Sequence, residues 1–93
     1  MNTQQVLQIL ELEGISLASA KLAPAIAALL IKDPSLTDAQ LVSTEDGTLK
    51  HYVRTKIGFF VDLFWSDVEP YVEQAITASI PQARSLVNAS NPT

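Results

Sequence analysis

The sequence predicts an all-α fold, a compact bundle of four to five short helices around a central one. Apolar residues recur at helical spacing in four segments, and a cap or stop residue stands near the ends of each. Of the 93 residues, 47% are hydrophobic, well above the composition that leaves a chain disordered. The length suits a single domain over residues 1–93, with a short polar tail at 88–93.

Thr3 is placed to cap a first helix over residues 4–13, where Val6, Ile9, Leu10 and Leu12 fit one face. Gly14 follows as a left-handed stop, with the hydrophobic Ile15 behind it. A second helix is expected over 18–32, bent or restarted at Pro24, because proline lacks the amide hydrogen and clashes with the carbonyl four residues back. Every residue in 25–31 is apolar, so this stretch is expected to be surrounded, by the domain's own helices or by another chain.

Asp33 and Pro34 end that helix, and Thr37 with Gln40 three residues on has the spacing of a capping box for a short third helix over 38–42. Residues 43–48 read as a polar loop. Its Asp46-Gly47 pair is also the strongest hairpin signal, which would pair 41–45 with 48–53. Helix after Thr48 is preferred, because Leu49, Val53, Ile57, Phe60 and Phe64 step by four, four, three and four. That makes 48–65 the expected central helix. Ser66, with Glu69 at capping-box spacing and Pro70 in the first turn, would open another. Val68, Val72, Ala75, Ile76 and Ser79 share a face there, Pro81 ends or bends the helix, and 82–87 adds a last turn or two.

On the 48–65 helix, Tyr52, Phe59 and Leu63 widen the apolar arc, leaving a strip of His51, Arg54, Gly58, Asp62 and Trp65. Glycine costs about 1 kcal/mol relative to alanine inside a helix, so Gly58 asks for a reason. One is a local helix irregularity; the other is a flat spot where a partner backbone approaches, flanked by Arg54 and Trp65, residue types enriched at interfaces. Trp65 carries its own alternative, folding back onto the core.

Ten acids against six bases give a net charge of −4, the wrong sign for a broad nucleic-acid face. Yet Lys50, Arg54 and Lys56, half the bases, fall within seven residues, while 57–83 holds Asp62, Asp67, Glu69 and Glu73 and no base. Either this is solvated surface, with Asp46 pairing Lys50 one turn on, or it is a docking patch. Bases near a helix N-terminus oppose the macrodipole, so helix stabilisation does not explain them. The candidate partner-binding set is therefore Lys50, Arg54, Lys56, Gly58, Trp65, Asp67 and Glu69.

Catalytic chemistry finds little to work with. Without cysteine there is no thiol nucleophile, disulfide or thiolate metal site, and His51 is the only imidazole. Gly14, Gly47 and Gly58 lie too far apart to cradle a phosphate, and no G-x-S-x-G turn occurs. Glu69 and Glu73, four apart, have the spacing of an acid–base pair but read as a solvated face. Residues 15–31 form the most apolar window, yet Lys21 and Pro24 interrupt it, against about 20 clean residues for a span. With no base in residues 1–12 no signal peptide is expected, which favours an intracellular place, the cytoplasm or a viral particle, and leaves the Asn88-Ala89-Ser90 sequon incidental.

The expected function is a non-enzymatic protein–protein interaction or assembly subunit without cofactor, metal or small-molecule substrate. It would self-associate or join a larger particle, such as a viral adaptor or a multi-subunit complex. The alternatives are a membrane-associated helical protein using 15–31 and 57–65, and a small nucleic-acid-binding regulator using 50–56.

Overall fold

The computed structural model describes residues 3–12, 14 and 16–90. The capping role given to Thr3, the side chains of Val6 and Ile9, Ile15 and the end of the tail lie outside the described residues. All the regular structure described is helical: α1 (Thr3–Leu12), α2 (Ser19–Lys32), α3 (Asp38–Ile57), a 3₁₀ turn (Gly58–Phe60) and α4 (Val61–Ser90).

The start and stop signals act largely as expected. Gly14 closes α1 at φ +80°, its N–H donating to the Glu11 carbonyl at 3.0 Å. At the end of α2, Asp33 Oδ1 accepts from both the backbone and the hydroxyl of Ser35, which shapes the turn into α3. Thr37 and Gln40 form the capping box reciprocally: Gln40 N–H donates to Thr37 Oγ1 at 3.2 Å, and Thr37 N–H donates to Gln40 Oε1 at 2.8 Å. Pro24 neither starts nor restarts α2; it sits inside it, exposed.

Three expected boundaries are corrected. Residues 43–48 form neither loop nor hairpin, because α3 runs straight through them. Leu41, Glu45 and Val53 are buried and Leu49 is half-buried, so one inward stripe of step four crosses Asp46-Gly47 without a break. The helix expected over 48–65 stops at Gly58, whose φ of +72° and ψ of −153° only glycine adopts without strain. Finally, neither Ser66, Pro70 nor Pro81 starts or ends a helix, since all lie within the 30 residues of α4. Both prolines face outward, leaving the inward run of Val61, Phe64, Trp65, Val68, Val72, Ile76, Ile80 and Ala83 continuous on the buried side. The body is thus three long helices with the shorter α1 packed on α4, and α4 is the central element.

The register follows from side-chain pairs. Arg54 meets Asp62, Asp46 meets Glu69 and Glu73, and Asp38 meets Arg84, so α3 and α4 are antiparallel about the Gly58 turn. α2 also lies against α4, where Ser79 Oγ donates to the Ala75 carbonyl at 2.8 Å and stands 3.1 Å from Ser19 Oγ. Ala23, Ala27, Ser79 and Ala83 are all buried, and their small size lets these helices approach closely. Of the all-apolar stretch 25–31, Ile26, Ala27 and Leu30 enter the core, Leu29 is half-buried, and Ala25, Ala28 and Ile31 face outward. The stretch is therefore not surrounded by its own chain.

The molecule measures 48 × 20 × 19 Å. Thirty helical residues span about 45 Å, so α4 runs the whole long axis and the Gly58–Phe60 turn stands at one end.

Candidate functional site

Two surfaces carry unusual chemistry. The first is the end of the rod. Gly58 donates its N–H to the Arg54 carbonyl, closes α3 and turns the chain through a single 3₁₀ turn into α4. That turn swings Phe59 and Phe60 out of the arc a continuous helix would give them. Phe59 is 81% exposed, Phe60 67% and Leu63 77%, and with Ile57 and Gly58 they border an almost wholly apolar hollow. Val61, Phe64 and Trp65, beside them in sequence, are buried, so the apolar surplus is confined to the knuckle itself.

The bases sit just behind it on α3. Arg54 Nη2 donates to Asp62 Oδ1, and Lys50 Nζ lies 3.8 Å from the same oxygen. Lys56 stands over the Tyr52 ring, 5.4 Å from its centroid. Lys50 therefore pairs with Asp62 and not with Asp46. These pairs are open to water and hold their side chains weakly, on the order of 0–1 kcal/mol. Three bases against Asp62 leave a local charge of +2 in a chain of net −4.

The second surface is a groove between α3 and α4. Asp46, Glu69 and Glu73 each bring a carboxylate oxygen within 4.8 Å of the others. Trp65 Nε1–H donates to Glu69 Oε2 at 3.1 Å. Asp46 Oδ1 is enclosed without a hydrogen-bond partner, and enclosure, followed by proton sharing with Glu69 and the charge of that neighbour, pushes the Asp46 carboxyl up to about 7. The Trp65 N–H opposes that rise, and Glu73 adds to it from farther off. Glu45, one residue earlier and buried, is also raised, by desolvation alone. Three carboxylates could in geometry share a proton or face a cation.

The seven residues singled out from sequence divide between these places. Lys50, Arg54, Lys56 and Gly58 gather at the rod's end, Glu69 lies in the acidic groove, and Asp67 is an exposed residue of α4. Trp65 is corrected: only 3% exposed, it folds onto the core and offers no contact surface. Sequence reasoning places Phe59, Phe60 and Leu63 only within the 57–65 segment of the membrane-associated alternative and not among the partner-binding residues, because it assigns them to the apolar arc of a helix that Gly58 ends. It also leaves out Asp46, because 43–48 read as a loop. Comparison with protein-family models, curated proteins and solved structures finds no match, so the chemistry of both surfaces rests on these residues alone.

Proposed function

We propose that this chain is a non-enzymatic docking module that attaches, end on, to a larger structure. The observation that carries the reading is the knuckle of Phe59, Phe60 and Leu63, held outward on a fixed turn at the extremity of a rod. Burying aromatic surface is favourable at about 25 cal/mol per Å², so a chain that keeps two phenylalanines in water forgoes stability that a partner can restore. The acidic groove is the weaker candidate for activity, since among the described residues its lining offers the hydroxyls of Ser43 and Thr77 but no imidazole or glycine-rich loop beside the carboxylates.

The test is fractionation. In cells expressing the protein, wild type is expected in the high-mass or particulate fraction, and a Phe59→Ser/Phe60→Ser double variant in the low-mass soluble fraction. Identical distributions would refute end-on docking.

Self-association is a second reading, favoured by the outward face of α2. Ala25, Ala28 and the 64% exposed Ile31 make a flat apolar strip on which a second copy could lie. Light scattering across a concentration series, with Ile31→Glu for comparison, checks it.

A further inference from the structure

We infer that the structure docked by the apolar end is an anionic lipid surface. The inference rests on reading that end as the docking element, and it adds the chemistry of the partner. Three features favour lipid over protein.

The first is position and size. The exposed Phe59, Phe60 and Leu63 stand at the terminal end of the rod, where they can enter a yielding surface. Phe59, Phe60 and Leu63 together expose roughly 400 Å², taking 150–250 Å² for a whole aromatic side chain. A stable protein interface needs about 800 Å² per partner, so this patch alone is too small for a dimer.

The second is charge. Two copies meeting knuckle to knuckle would bring Lys50, Arg54 and Lys56 of one against those of the other, which is repulsive. Against anionic headgroups the same three side chains are attractive, and their long stems let the charged heads stay at headgroup level while the phenylalanines sink below. Tyr52, half in water on the same helix, has the amphipathic ring found at that depth.

The third is orientation. The acidic groove begins at Glu69, about 13 Å along α4 from Phe60 at 1.5 Å per residue. With a Debye length of about 8 Å at physiological salt, a rod standing on its end keeps those carboxylates out of reach of the surface, while Lys56 and Arg54, within about 6 Å of Gly58 along α3, touch it and Lys50, about 12 Å back, extends its ammonium forward to Asp62. A rod lying flat does not. No described helix is long and apolar enough to cross a membrane, so the attachment is to the surface layer.

The experiment is co-sedimentation of the full chain with vesicles of phosphatidylcholine alone, or of phosphatidylcholine with about a third phosphatidylserine. Wild type is expected to bind the anionic vesicles, to bind neutral ones at least about tenfold less, and to lose anionic binding as salt is raised toward about 1 M. Phe59→Ser/Phe60→Ser and, separately, Lys50→Glu/Lys56→Glu should each cut anionic partitioning by about tenfold or more with an unchanged helical dichroism spectrum, since all four side chains reach solvent. Failure to bind anionic vesicles, equal binding to neutral ones, or full binding by the phenylalanine variant overturns the inference. If that variant redistributes in cell fractionation while wild type ignores vesicles, docking stands and the partner is a protein. If it changes neither measurement, both readings fall.

Discussion

Asp46 shows what a single side chain costs when its surroundings are wrong for its charge. Its enclosed oxygen and its two carboxylate neighbours raise its pKa from near 4 in the unfolded chain to about 7 in the folded one. The folded state therefore binds the proton more tightly, and folding becomes more favourable as pH falls. The penalty of the ionised form is fully present above about pH 7 and is relieved progressively down to about pH 4. Glu45, raised by desolvation, works in the same direction, whereas Asp33, lowered by its bonds from Ser35, acts oppositely and only in strong acid. The thermal midpoint is expected to be a few degrees higher near pH 5 than near pH 8. Asp46→Asn should raise the midpoint at pH 8 and flatten the profile. Because the groove is open to water, the gain is discounted to about 1 kcal/mol. Calorimetry across that range checks both, and a midpoint that falls steadily on acidification would refute them. Gly58 is the other residue under local constraint. A methyl group added at its Cα would meet nothing within 4 Å, so the cost of Gly58→Ala is purely in the backbone, about 1–3 kcal/mol by urea unfolding.

Among the elements, α3 separates what sequence could and could not disclose. Its capping box was legible, as were the stop at Gly14 and the inward face of Val68, Val72, Ile76 and Ser79, because each is a local pattern with a local cause. Residues 43–48 were not, because Asp46-Gly47 carries the chemistry of a tight turn while tertiary burial of Leu41, Leu49 and Val53 favours helix. Glu45 completes the stripe that crosses them, and a glutamate is not counted as apolar. Gly47→Ala distinguishes the two conformations. In mid-helix, with open space around its Cα, alanine should stabilise by about 0.5–1 kcal/mol, whereas in a hairpin turn it would destabilise. The prolines misled for a related reason: a proline breaks a helix by local rules, but Pro70 and Pro81 lie on the solvent side of a helix held by burial along its other side. The candidate site was half legible. Lys50, Arg54, Lys56 and Gly58 belong to the end of the rod, but the exposure of Phe59 and Phe60 depends on a turn whose angle no spacing rule supplies.

For the molecule as a whole, the radius of gyration of 13.8 Å exceeds the ~12 Å expected of a compact chain this long, as befits a rod with its bases gathered at one tip. α4 runs its full length and touches α1, α2, α3 and the connecting turn, while α2 and α3 meet each other far less. The other helices are thus spokes on one axle. An amide in α1 or α2 becomes accessible when its own helix lifts away, whereas an amide in the middle of α4 requires every partner to leave. Hydrogen–deuterium exchange should therefore be slowest across residues 68–79, at the rate set by global unfolding, and faster in α1 and α2. Protection spread evenly over all four helices would contradict this. The same arrangement leaves the end of the rod outside this hierarchy: the knuckle already stands clear of the core in the folded molecule, so it can meet a surface without waiting for the fold to open.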